Sequence, residues 1–321
     1  MGAFLLGRSD SGYLAGLYKK SQQPAGNRLQ RPGPGPVDKN RFLMKKIRDI
    51  LELSRIGNVA ITGFSVLIGT GGYVGSANIR LVIMAVISAM IIAAGGNAQN
   101  DYYDQKTDAV NRPERPIPSG RISPRWAFIF SLLCYLSGIV LGWLTGRDTG
   151  LVASVVTVLL WLYAARGKMM GLGGNLIIAL ICASAFIYGG LTVNNPVLAV
   201  FPAVFAFLMH LSREIIKDVQ DLSGDRQSGA MTLVIRAGRK RALSVSAFSL
   251  MLLVSFSPVP YLLGVYNVKY LLAVILGVDL VLLPVIYQLL KNPLGVDYAK
   301  LSFILKIDML VGLMAIALGM S

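Results

Sequence analysis

Cysteine, histidine and charged residues are all scarce in this sequence. Its 321 residues include two cysteines, Cys134 and Cys182, and one histidine, His210. Both cysteines lie inside apolar runs, so we interpret them as small hydrophobic side chains and expect neither a disulfide framework nor a zinc site. Charged residues make up 15% of the chain, against roughly 25% in an ordinary soluble domain. Because 54% of the residues are hydrophobic, the apolar excess indicates a chain that faces a bilayer.

Acidic residues are the scarcer of the two charged types. There are 16 Asp and Glu against 31 Lys and Arg, which gives a net charge of +15. The basic residues lie between long apolar runs and not on one face of a soluble domain. We therefore expect them to meet anionic lipid headgroups and phosphates. Neither a nucleic-acid partner nor a protein partner is expected.

The N-terminal segment differs from the rest of the chain. Residues 1–40 are rich in Gln, Gly and Pro and lack the continuous apolar region of a signal peptide. They cannot bury a core, so we predict a disordered or non-native extension. Residues 41–321 are predicted to form a single transmembrane domain. Within it, residues 42–54 have the pattern of an amphipathic helix on the membrane surface.

Nine apolar stretches follow, each close to the roughly 20 residues that cross the hydrocarbon core as a helix. Gly and Pro are frequent within them, as in transmembrane helices whose neighbours satisfy the freed backbone groups. The sequence therefore predicts an all-α fold, an integral membrane bundle of about nine transmembrane helices. The predicted spans are 57–77, 81–99, 126–145, 149–165, 173–193, 196–212, 242–264, 269–289 and 301–320.

Lysine and arginine are unevenly distributed between the two sides of such a bundle. With nine spans, 27 of the 31 fall in the N-terminal segment and in the loops after the even-numbered spans. Only Arg80, Arg147 and Lys269 fall on the other side, and Lys306 lies inside the last span. The positive-inside rule then places the basic side in the cytoplasm of a multi-pass protein of the cell membrane.

Half of the 16 acidic residues fall in two short segments, which follow the second and the sixth span on the basic side. Each segment has three aspartates spaced by three and then four residues, which places them on one face if the helix continues. Separation by four spans also suggests an internal duplication, with spans 1–4 and 5–8 as halves. The aspartates are Asp101, Asp104 and Asp108 in the first segment and Asp218, Asp221 and Asp225 in the second.

Carboxylates gathered in this way repel one another, and more strongly at the lower dielectric of a membrane border. A divalent cation between them removes that penalty. Mg²⁺ prefers oxygen ligands and commonly combines one or two carboxylates with substrate phosphate. Two facing clusters therefore predict two magnesium ions around a diphosphate. The alternative is a pair of solvated loops that are rich in aspartate by chance.

Basic and aromatic side chains near the clusters are candidates for substrate contact. Arginine offers a diphosphate a bidentate fork, and lysine offers a point charge. A tyrosine can stabilise a developing cation, which fits Tyr163 and Tyr103. Taken singly, each basic residue could instead serve membrane topology, and each tyrosine an interfacial belt. The diphosphate candidates are Arg112, Arg115, Lys168, Arg213 and Lys217.

These features resemble the UbiA superfamily of intramembrane prenyltransferases over nearly all of residues 45–320. The resemblance is carried by N-D-x-x-D-x-x-x-D from Asn100, D-x-x-D-x-x-x-D from Asp218, and Tyr163 and Lys168 followed by Gly174-Asn175. It implies a central apolar cavity, a prenyl diphosphate donor, and Mg²⁺ held by Asn100 and the six aspartates. Asn100 is also expected at the diphosphate. The catalytic residues implied are Asp104, Asp108, Asp221, Asp225, Lys168 and Tyr163.

Two further segments, residues 111–120 and Arg55-Ile56-Gly57-Asn58, resemble the archaeal digeranylgeranylglyceryl phosphate synthases of that superfamily. The superfamily often has Pro where this chain has Ile56. The resemblance implies transfer of a geranylgeranyl group to a lipid-like acceptor, geranylgeranylglyceryl phosphate, in archaeal ether-lipid synthesis among bilayer lipids. The alternative acceptor is an aromatic ring in quinone-type biosynthesis. In both cases the allylic C–O bond breaks, and the cavity protects the resulting carbocation from water.

Two other classes of membrane protein share some of these features. CDP-alcohol phosphotransferases are also Asp-rich, but their D-G-x-x-A-R motif does not occur here. A membrane transporter needs charge near the midplane, where Asp279, Lys306 and Asp308 lie within predicted spans. Half of the acidic residues instead lie at one membrane border. For Asp279 and Lys306 we expect a structural salt bridge.

The position of the clusters also predicts the shape of the cavity. Both motifs begin where a span ends, so the diphosphate lies at the border, and its tail needs apolar surroundings because each exposed CH₂ costs about 0.8 kcal/mol. We expect a cavity that opens sideways to lipid and is capped by the loops after spans two and six. Pro113, Pro116, Pro118 and Gly120 allow the first of these loops to fold back.

Overall fold

The computed structural model describes residues 39–72, 79–291 and 295–320, with side chains from residue 43 onwards. The chain divides into two compact units, Met1–Lys45 and Lys46–Ser321. Of the first unit, only the beginning of one helix lies within the described residues. The extension predicted over residues 1–40 lies outside them, apart from its last two residues, which are helical.

The described part of the chain is helical and contains no strand. Some of its helices are long and apolar, and others are short segments between them. The α-helices are α1 Lys39–Leu53, α2 Ile56–Gly69, α3 Ile79–Tyr103, α4 Gln105–Asn111, α5 Pro124–Thr145, α6 Arg147–Arg166, α7 Leu172–Thr192, α8 Val200–Gln220, α9 Leu222–Gln227, α10 Leu233–Ala237, α11 Arg239–Phe256, α12 Val259–Leu262, α13 Val268–Val274, α14 Leu280–Lys291 and α15 Tyr298–Gly319. A π-helical turn, Ile275–Asp279, joins α13 to α14.

Within the described residues, eight helical segments are long and apolar enough to cross a membrane, and a bent pair brings the number to nine. The bent pair consists of Leu43–Leu53 and Ile56–Gly69, which meet at 57°. Its break lies at Arg55, whose φ of 51° is in the left-handed region that interrupts a helix. The prediction of an all-α membrane bundle is therefore confirmed.

Two helix boundaries differ from the predicted spans in a way that concerns the acidic motifs. The second span was expected to end at residue 99, but α3 continues to Tyr103 and carries Asp101. The sixth was expected to end at residue 212, but α8 continues to Gln220 and carries Asp218. Apolar run length marks where the hydrocarbon core ends, whereas backbone hydrogen bonding carries each helix one or two turns further.

The two largest clusters of buried apolar side chains belong to different parts of the bundle. One is formed by α2, α3, α5, α6 and α7, with Val66, Ile92 and Tyr188 among its members. The other is formed by α7, α8, α10, α11 and the segments from α13 to α15, with Ile215 and Leu250 fully buried. Because α7 contributes to both clusters, it connects the two parts of the bundle.

Helices α2 and α7 cross through a pair of glycines. A Cβ atom added at Gly69 would overlap the carbonyl oxygen of Phe186, and one added at Gly189 would overlap that of Val66. Small residues at such a crossing let two backbones approach closely, which favours helix association in lipid. The crossing fixes α2 against α7 on one side of the cavity described below.

Candidate active site

The two aspartate motifs interrupt their helices at the same position. Helix α3 ends before Asp104, and α4 begins directly after it. Helix α8 ends before Asp221, and α9 begins directly after it. Both aspartates have φ near −90° and ψ near 0°, and each N–H donates to the carbonyl four residues earlier at 2.8 Å. Each motif is therefore bent at its middle aspartate and does not form one regular helix.

The short helices that follow the bends pack directly against each other. The side chain of Asn111 donates to the carbonyl oxygen of Asp221 at 3.0 Å and accepts from the Ser223 hydroxyl at 3.0 Å. Thr107 donates to Ser228, also at 3.0 Å. A Cβ atom at Gly224 would lie 2.6 Å from Asn111 Nδ2, so a larger residue there would displace the Asn111 side chain. The ends of α4 and α9 thus hold the two motifs together.

Two cations lie between carboxylates of different motifs. Lys168 Nζ is 2.9 Å from Asp104 Oδ1 and 3.0 Å from Asp225 Oδ1. The Arg112 guanidinium holds Asp221 in a bidentate pair at 2.6 and 3.0 Å, and it also lies 3.6 Å from Asp108. The middle aspartate of each motif is therefore paired with the last aspartate of the other.

The first aspartate of each motif has a partner of its own. Asp101 is buried and accepts from Arg55, and Arg115 Nη1 lies 3.4 Å from the same oxygen. Arg115 also donates to Asp108 at 2.6 Å. Asp218 accepts from the Asn175 side-chain amide at 2.9 Å. Five of the six predicted aspartates are thus paired with cations in an aspartate network, whereas Asp218 is bonded only to Asn175.

Lys168 is held in position by the segment that follows the second motif. It lies in a single 3₁₀ turn, Gly167–Met169, after α6. The N–H of Met231 donates to the Lys168 carbonyl at 2.8 Å, and Arg236 donates to the Met169 carbonyl at 2.6 Å. The loop after the fourth predicted span is therefore hydrogen-bonded to the loop after the sixth. This contact holds Lys168 between the two motifs.

The innermost carboxylates are strongly desolvated. Burial raises the pKa of Asp108, an effect that the nearby Arg115 opposes. Burial likewise raises the pKa of Asp225, and Lys168 opposes that shift. Asp225 Oδ2 is buried and has no hydrogen-bond partner among the described residues. The site therefore holds carboxylate oxygens whose ionised form needs additional positive charge.

The donor set suits magnesium. Within the described residues, no three carboxylate, imidazole or thiol groups already surround one point where a metal ion could sit, because Lys168 and Arg112 lie between the aspartates. Every candidate ligand is nevertheless a hard oxygen donor, and Asp225 offers a buried oxygen without a partner. Mg²⁺ typically takes one or two carboxylates together with substrate phosphates and water, and does not need a closed protein cage.

A cavity of about 490 Å³ lies next to this network. Asn100, Arg112, Arg115 and Tyr163 line it on the side of the motifs. Apolar side chains of α3, α6 and α7 line much of the remainder. These apolar side chains include Ile92, Val156, Leu160 and Ile181. The combination of a basic, polar end and an apolar body suits an amphiphile with an anionic headgroup.

The structure separates the predicted diphosphate contacts into two groups. Arg112, Arg115 and Lys168 contact the aspartates, as described. Arg213 and Lys217 line the cavity but pair with Glu214, at 3.4 and 2.8 Å. Of the two tyrosines, Tyr163 lines the cavity, whereas Tyr103 is 41% exposed.

The prediction of a salt bridge between Asp279 and Lys306 is wrong. Asp279 instead accepts from the Ser257 hydroxyl at 2.7 Å, and Lys306 donates to Asn58 Oδ1 at 2.8 Å in the main cavity. Asp308 is buried, and neither of its carboxylate oxygens has a partner among the described residues. Asp279 and Lys306 therefore have separate partners. The apolar pattern does not fix the rotation of the helical segments that carry them, so it could not predict this.

Some residues of the site were not among those predicted from the sequence. Arg55, Asn58 and Glu214 contribute to the polar wall, although none was a predicted site residue. Arg55 and Asn58 belong to a segment that carries the family resemblance, and Glu214 lies inside the second acidic segment. The sequence does mark Lys306 as a candidate in another way, since an ionisable residue inside a membrane span is a functional candidate by default.

The loop after α4 folds back onto the helices, as its prolines suggested. Ile117 and Ile122 are buried with Leu53 of α1. Arg121 bridges the loop to α1 through Asp49 and Glu52, at 2.5 and 2.7 Å. This arrangement keeps Arg112 and Arg115, at the start of the loop, over the motifs.

Comparison with known proteins agrees with this architecture. Residues 59–307 match the UbiA prenyltransferase family. The digeranylgeranylglyceryl phosphate synthase of Methanopyrus kandleri is 37% identical over 270 residues, which is 84% of this chain and 98% of the relative. The enzyme of the same name from Methanococcus maripaludis strain C7 is 36% identical over 275 residues, 85% of this chain and 98% of the relative.

Solved structures show the same fold. A structure of a digeranylgeranylglyceryl phosphate synthase matches 86% of this chain and 99% of its own, with 31% identity and a TM-score of 0.69. A UbiA homologue from Archaeoglobus fulgidus, bound to DMAPP and Mg²⁺, matches 84% of this chain and 99% of its own at 15% identity and a TM-score of 0.58.

The family match and the two relatives make the assignment plain: the chain belongs to the UbiA prenyltransferase family. It is a multi-pass membrane enzyme of the prenyltransferase class. The resemblance inferred from the paired motifs is confirmed, and the transporter and CDP-alcohol phosphotransferase alternatives are set aside.

Proposed function

We propose that this enzyme transfers a geranylgeranyl group from its diphosphate to geranylgeranylglyceryl phosphate, in the presence of Mg²⁺. The observation that carries the proposal is the pairing of two acidic motifs through Lys168 and Arg112 beside a cavity with one polar end and an apolar body. The choice of acceptor is supported by relatives of that name at 36–37% identity over almost their whole length.

The metal in this proposal is held by the aspartate network. Asp104, Asp108, Asp221 and Asp225 would supply carboxylate oxygens from both motifs, with Asn100, Asp101 and Asp218 completing the predicted set. Bound Mg²⁺ would neutralise charge that develops on the diphosphate leaving group. The unpartnered oxygen of Asp225 and the raised pKa of Asp108 and Asp225 are consistent with a site that gains positive charge.

The basic residues supply fixed positive charge at the aspartate motifs, and two of them, Arg112 and Arg115, also line the cavity. Lys168, Arg112 and Arg115 are held by aspartates and carry donors that can reach a diphosphate oxygen. When the allylic C–O bond breaks, its electron pair moves onto the diphosphate, and preorganised donors stabilise that charge without reorganising. Arg112 can offer a bidentate fork, whereas Lys168 acts as a point charge.

The body of the cavity protects the other product of bond cleavage. The allylic cation formed at C1 would react with water, so it needs a site from which water is excluded. Ile92, Val156, Leu160 and Ile181 provide such a lining for the prenyl tail. Tyr163 lies at the polar end of this lining, where its ring can face a cation. A glycerol hydroxyl of the acceptor then attacks C1, and its proton passes to the diphosphate that carries the electron pair of the broken C–O bond.

We further propose that the active site faces the cytoplasm and that the cavity opens sideways to lipid. The orientation rests on the 27 of 31 basic residues assigned to one side. The loops that carry Arg112 and Lys168 belong to that side. A lateral opening lets two amphiphiles enter and a lipid product leave without exposing their tails to water.

The test is a transfer assay with purified protein in mixed micelles. Radiolabelled geranylgeranyl diphosphate and Mg²⁺ are incubated with geranylgeranylglyceryl phosphate, with an aromatic quinone precursor, or with neither, and the labelled lipid is identified. We expect label in the doubly prenylated glyceryl phosphate. Label in the aromatic product alone would replace the proposed acceptor and leave prenyl transfer intact.

A further inference from the structure

A second group of charged residues lies in the cavity wall apart from the aspartate network. Arg213 and Lys217 on α8 and Lys306 on α15 all line the cavity, together with Glu214. Arg213 Nη1 and Lys217 Nζ both pair with Glu214, at 3.4 and 2.8 Å. Among the ion pairs of the described residues, Lys306 takes part in none. Its hydrogen-bond partner is the neutral amide oxygen of Asn58, at 2.8 Å.

The charges in this group do not balance. Arg213 and Lys217 both pair with the single carboxylate of Glu214, Lys306 pairs with no carboxylate among the described residues, and the next carboxylate along α8, Asp218, is bonded to Asn175. Arg55, Arg213 and Lys217 line the same cavity as Lys306, and all of them are positive. Within the described residues, Arg213 Nε is also buried without a hydrogen-bond partner. An uncompensated cation in a membrane span is costly, so the group is poised for an anion.

The aspartate network, in contrast, has an excess of negative charge. Five of its aspartates share the four basic residues Arg55, Arg112, Arg115 and Lys168, so negative charge is in excess. Metal ions that bind together with a diphosphate would supply positive charge to these carboxylates. A phosphate monoester, with a charge of about −1.5 to −2 at neutral pH, would instead compensate the excess around Lys306. The two ends of the wall therefore favour different anions.

We propose that Lys306, with Arg213, Lys217 and Asn58, forms the subsite for the phosphate of the lipid acceptor. The inference rests on the proposed function, because it assigns the acceptor's headgroup to a place in the same cavity. It makes Lys306 a residue that determines acceptor specificity and not one that contacts the leaving group. Acceptors without an anionic headgroup would then be poor substrates.

The experiment compares two acceptors, geranylgeranylglyceryl phosphate and geranylgeranylglycerol, in wild-type protein and in Lys306→Gln. For the phosphorylated acceptor we expect the variant to raise the apparent KM about tenfold or more, the loss expected for a charge-assisted contact. The KM of the donor should change by less than about twofold. With geranylgeranylglycerol the two proteins should perform alike, since the lost contact is absent in both.

Three further variants sharpen the test. Lys300→Gln makes the same chemical change on the same helix at an exposed position outside the cavity, and it should behave as wild type. Lys306→Arg keeps the charge and should retain most of the preference for the phosphorylated acceptor. Asn58→Asp keeps Lys306 but places a carboxylate against its ammonium, so it should reproduce the loss seen in Lys306→Gln without removing the lysine.

The outcomes separate this inference from the proposed function. A rise in donor KM, or an equal loss with both acceptors, would assign Lys306 to the diphosphate or to folding and overturn the inference while transfer itself stands. If wild-type protein transfers nothing to the phosphorylated acceptor, the proposed function fails. Binding of both lipids to protein in nanodiscs then decides the subsite. A preference for the phosphorylated lipid that Lys306→Gln abolishes supports it, and no preference contradicts it.

Discussion

Asp104 and Asp225 belong to different aspartate motifs, yet their carboxylates lie 2.9 and 3.0 Å from the same ammonium, that of Lys168. Asp221 and Asp108 are related in the same way through Arg112. Each pairing joins the middle aspartate of one motif to the last aspartate of the other. The two motifs therefore meet as equivalent halves of one site, which supports the predicted internal duplication, although that stays a prediction.

Replacing Lys168 should affect turnover more than structure. We expect Lys168→Met to lower kcat about a hundredfold or more, the usual effect of losing a preorganised donor to a developing anion. Lys168→Arg should recover part of this loss because the charge is retained. The measurement is initial rate at saturating donor and acceptor. The exposed Lys106, on α4 beside the first motif, supplies the control Lys106→Met, and equal losses in both variants would argue against a specific role for Lys168.

The aspartates at the two helix bends should be equally important. We expect Asp104→Asn and Asp221→Asn each to abolish turnover, since an amide neither binds Mg²⁺ well nor balances Lys168 or Arg112. The double variant should be no worse than either single one, because residues that act as a unit are not additive. Each variant should keep a cooperative unfolding transition in detergent.

The control for these aspartates is Asp148→Asn, which removes an exposed carboxylate in the first turn of α6 and should leave the rate unchanged. Substantial activity in both Asp104→Asn and Asp221→Asn would contradict the proposal of a shared metal site.

The sequence predicts these motifs well but not their partners. Spacing places Asp101, Asp104 and Asp108 on one face because helical geometry is local. The spacing of the aspartates does not reveal the bends at Asp104 and Asp221, since neither residue is a Gly or a Pro. Apolar run length likewise placed the ends of α3 and α8 too early.

Contacts between residues that are far apart in the sequence could not be predicted. Lys306 contacts Asn58 across 248 positions of sequence, so only the packing of α15 against α2 decides the contact. The expected salt bridge from Lys306 to Asp279 failed for this reason. Hydropathy shows that a helix spans the membrane, but it does not fix the helix's rotation when apolar residues surround most of its circumference.

Removal of divalent metal should stop the reaction reversibly. In excess chelator we expect no detectable transfer, because the carboxylates around Asp225 and Asp108 then repel the diphosphate. Readdition of Mg²⁺ or Mn²⁺ should restore the rate, whereas Na⁺ at equal ionic strength should not. The measurement is product formation during titration of free metal, and undiminished turnover in chelator would refute the proposed metal dependence.

The glycine crossing of α2 and α7 should limit stability independently of chemistry. In Gly189→Ala the new methyl group overlaps the Val66 carbonyl oxygen, and backbone cannot move aside as a flexible side chain can. We expect a loss of about 1–3 kcal/mol or more, as for other overpacked sites. The loss should appear as a lower apparent unfolding midpoint in detergent. Gly69→Ala should behave alike, since it overlaps the Phe186 carbonyl across the same crossing.

The matched control for this crossing is Gly173→Ala, on the same helix α7. Its Cβ atom would lie 3.7 Å from Met170 Cβ, an ordinary contact, and alanine has the higher helix propensity. We therefore expect its midpoint to equal or exceed that of the wild type. If Gly189→Ala and Gly173→Ala shift the midpoint equally, close approach at the crossing does not determine stability, and helix propensity alone would have to account for both. A lower midpoint in Gly189→Ala with normal acceptor and donor KM in the folded fraction would show that the crossing supports the cavity without entering its chemistry.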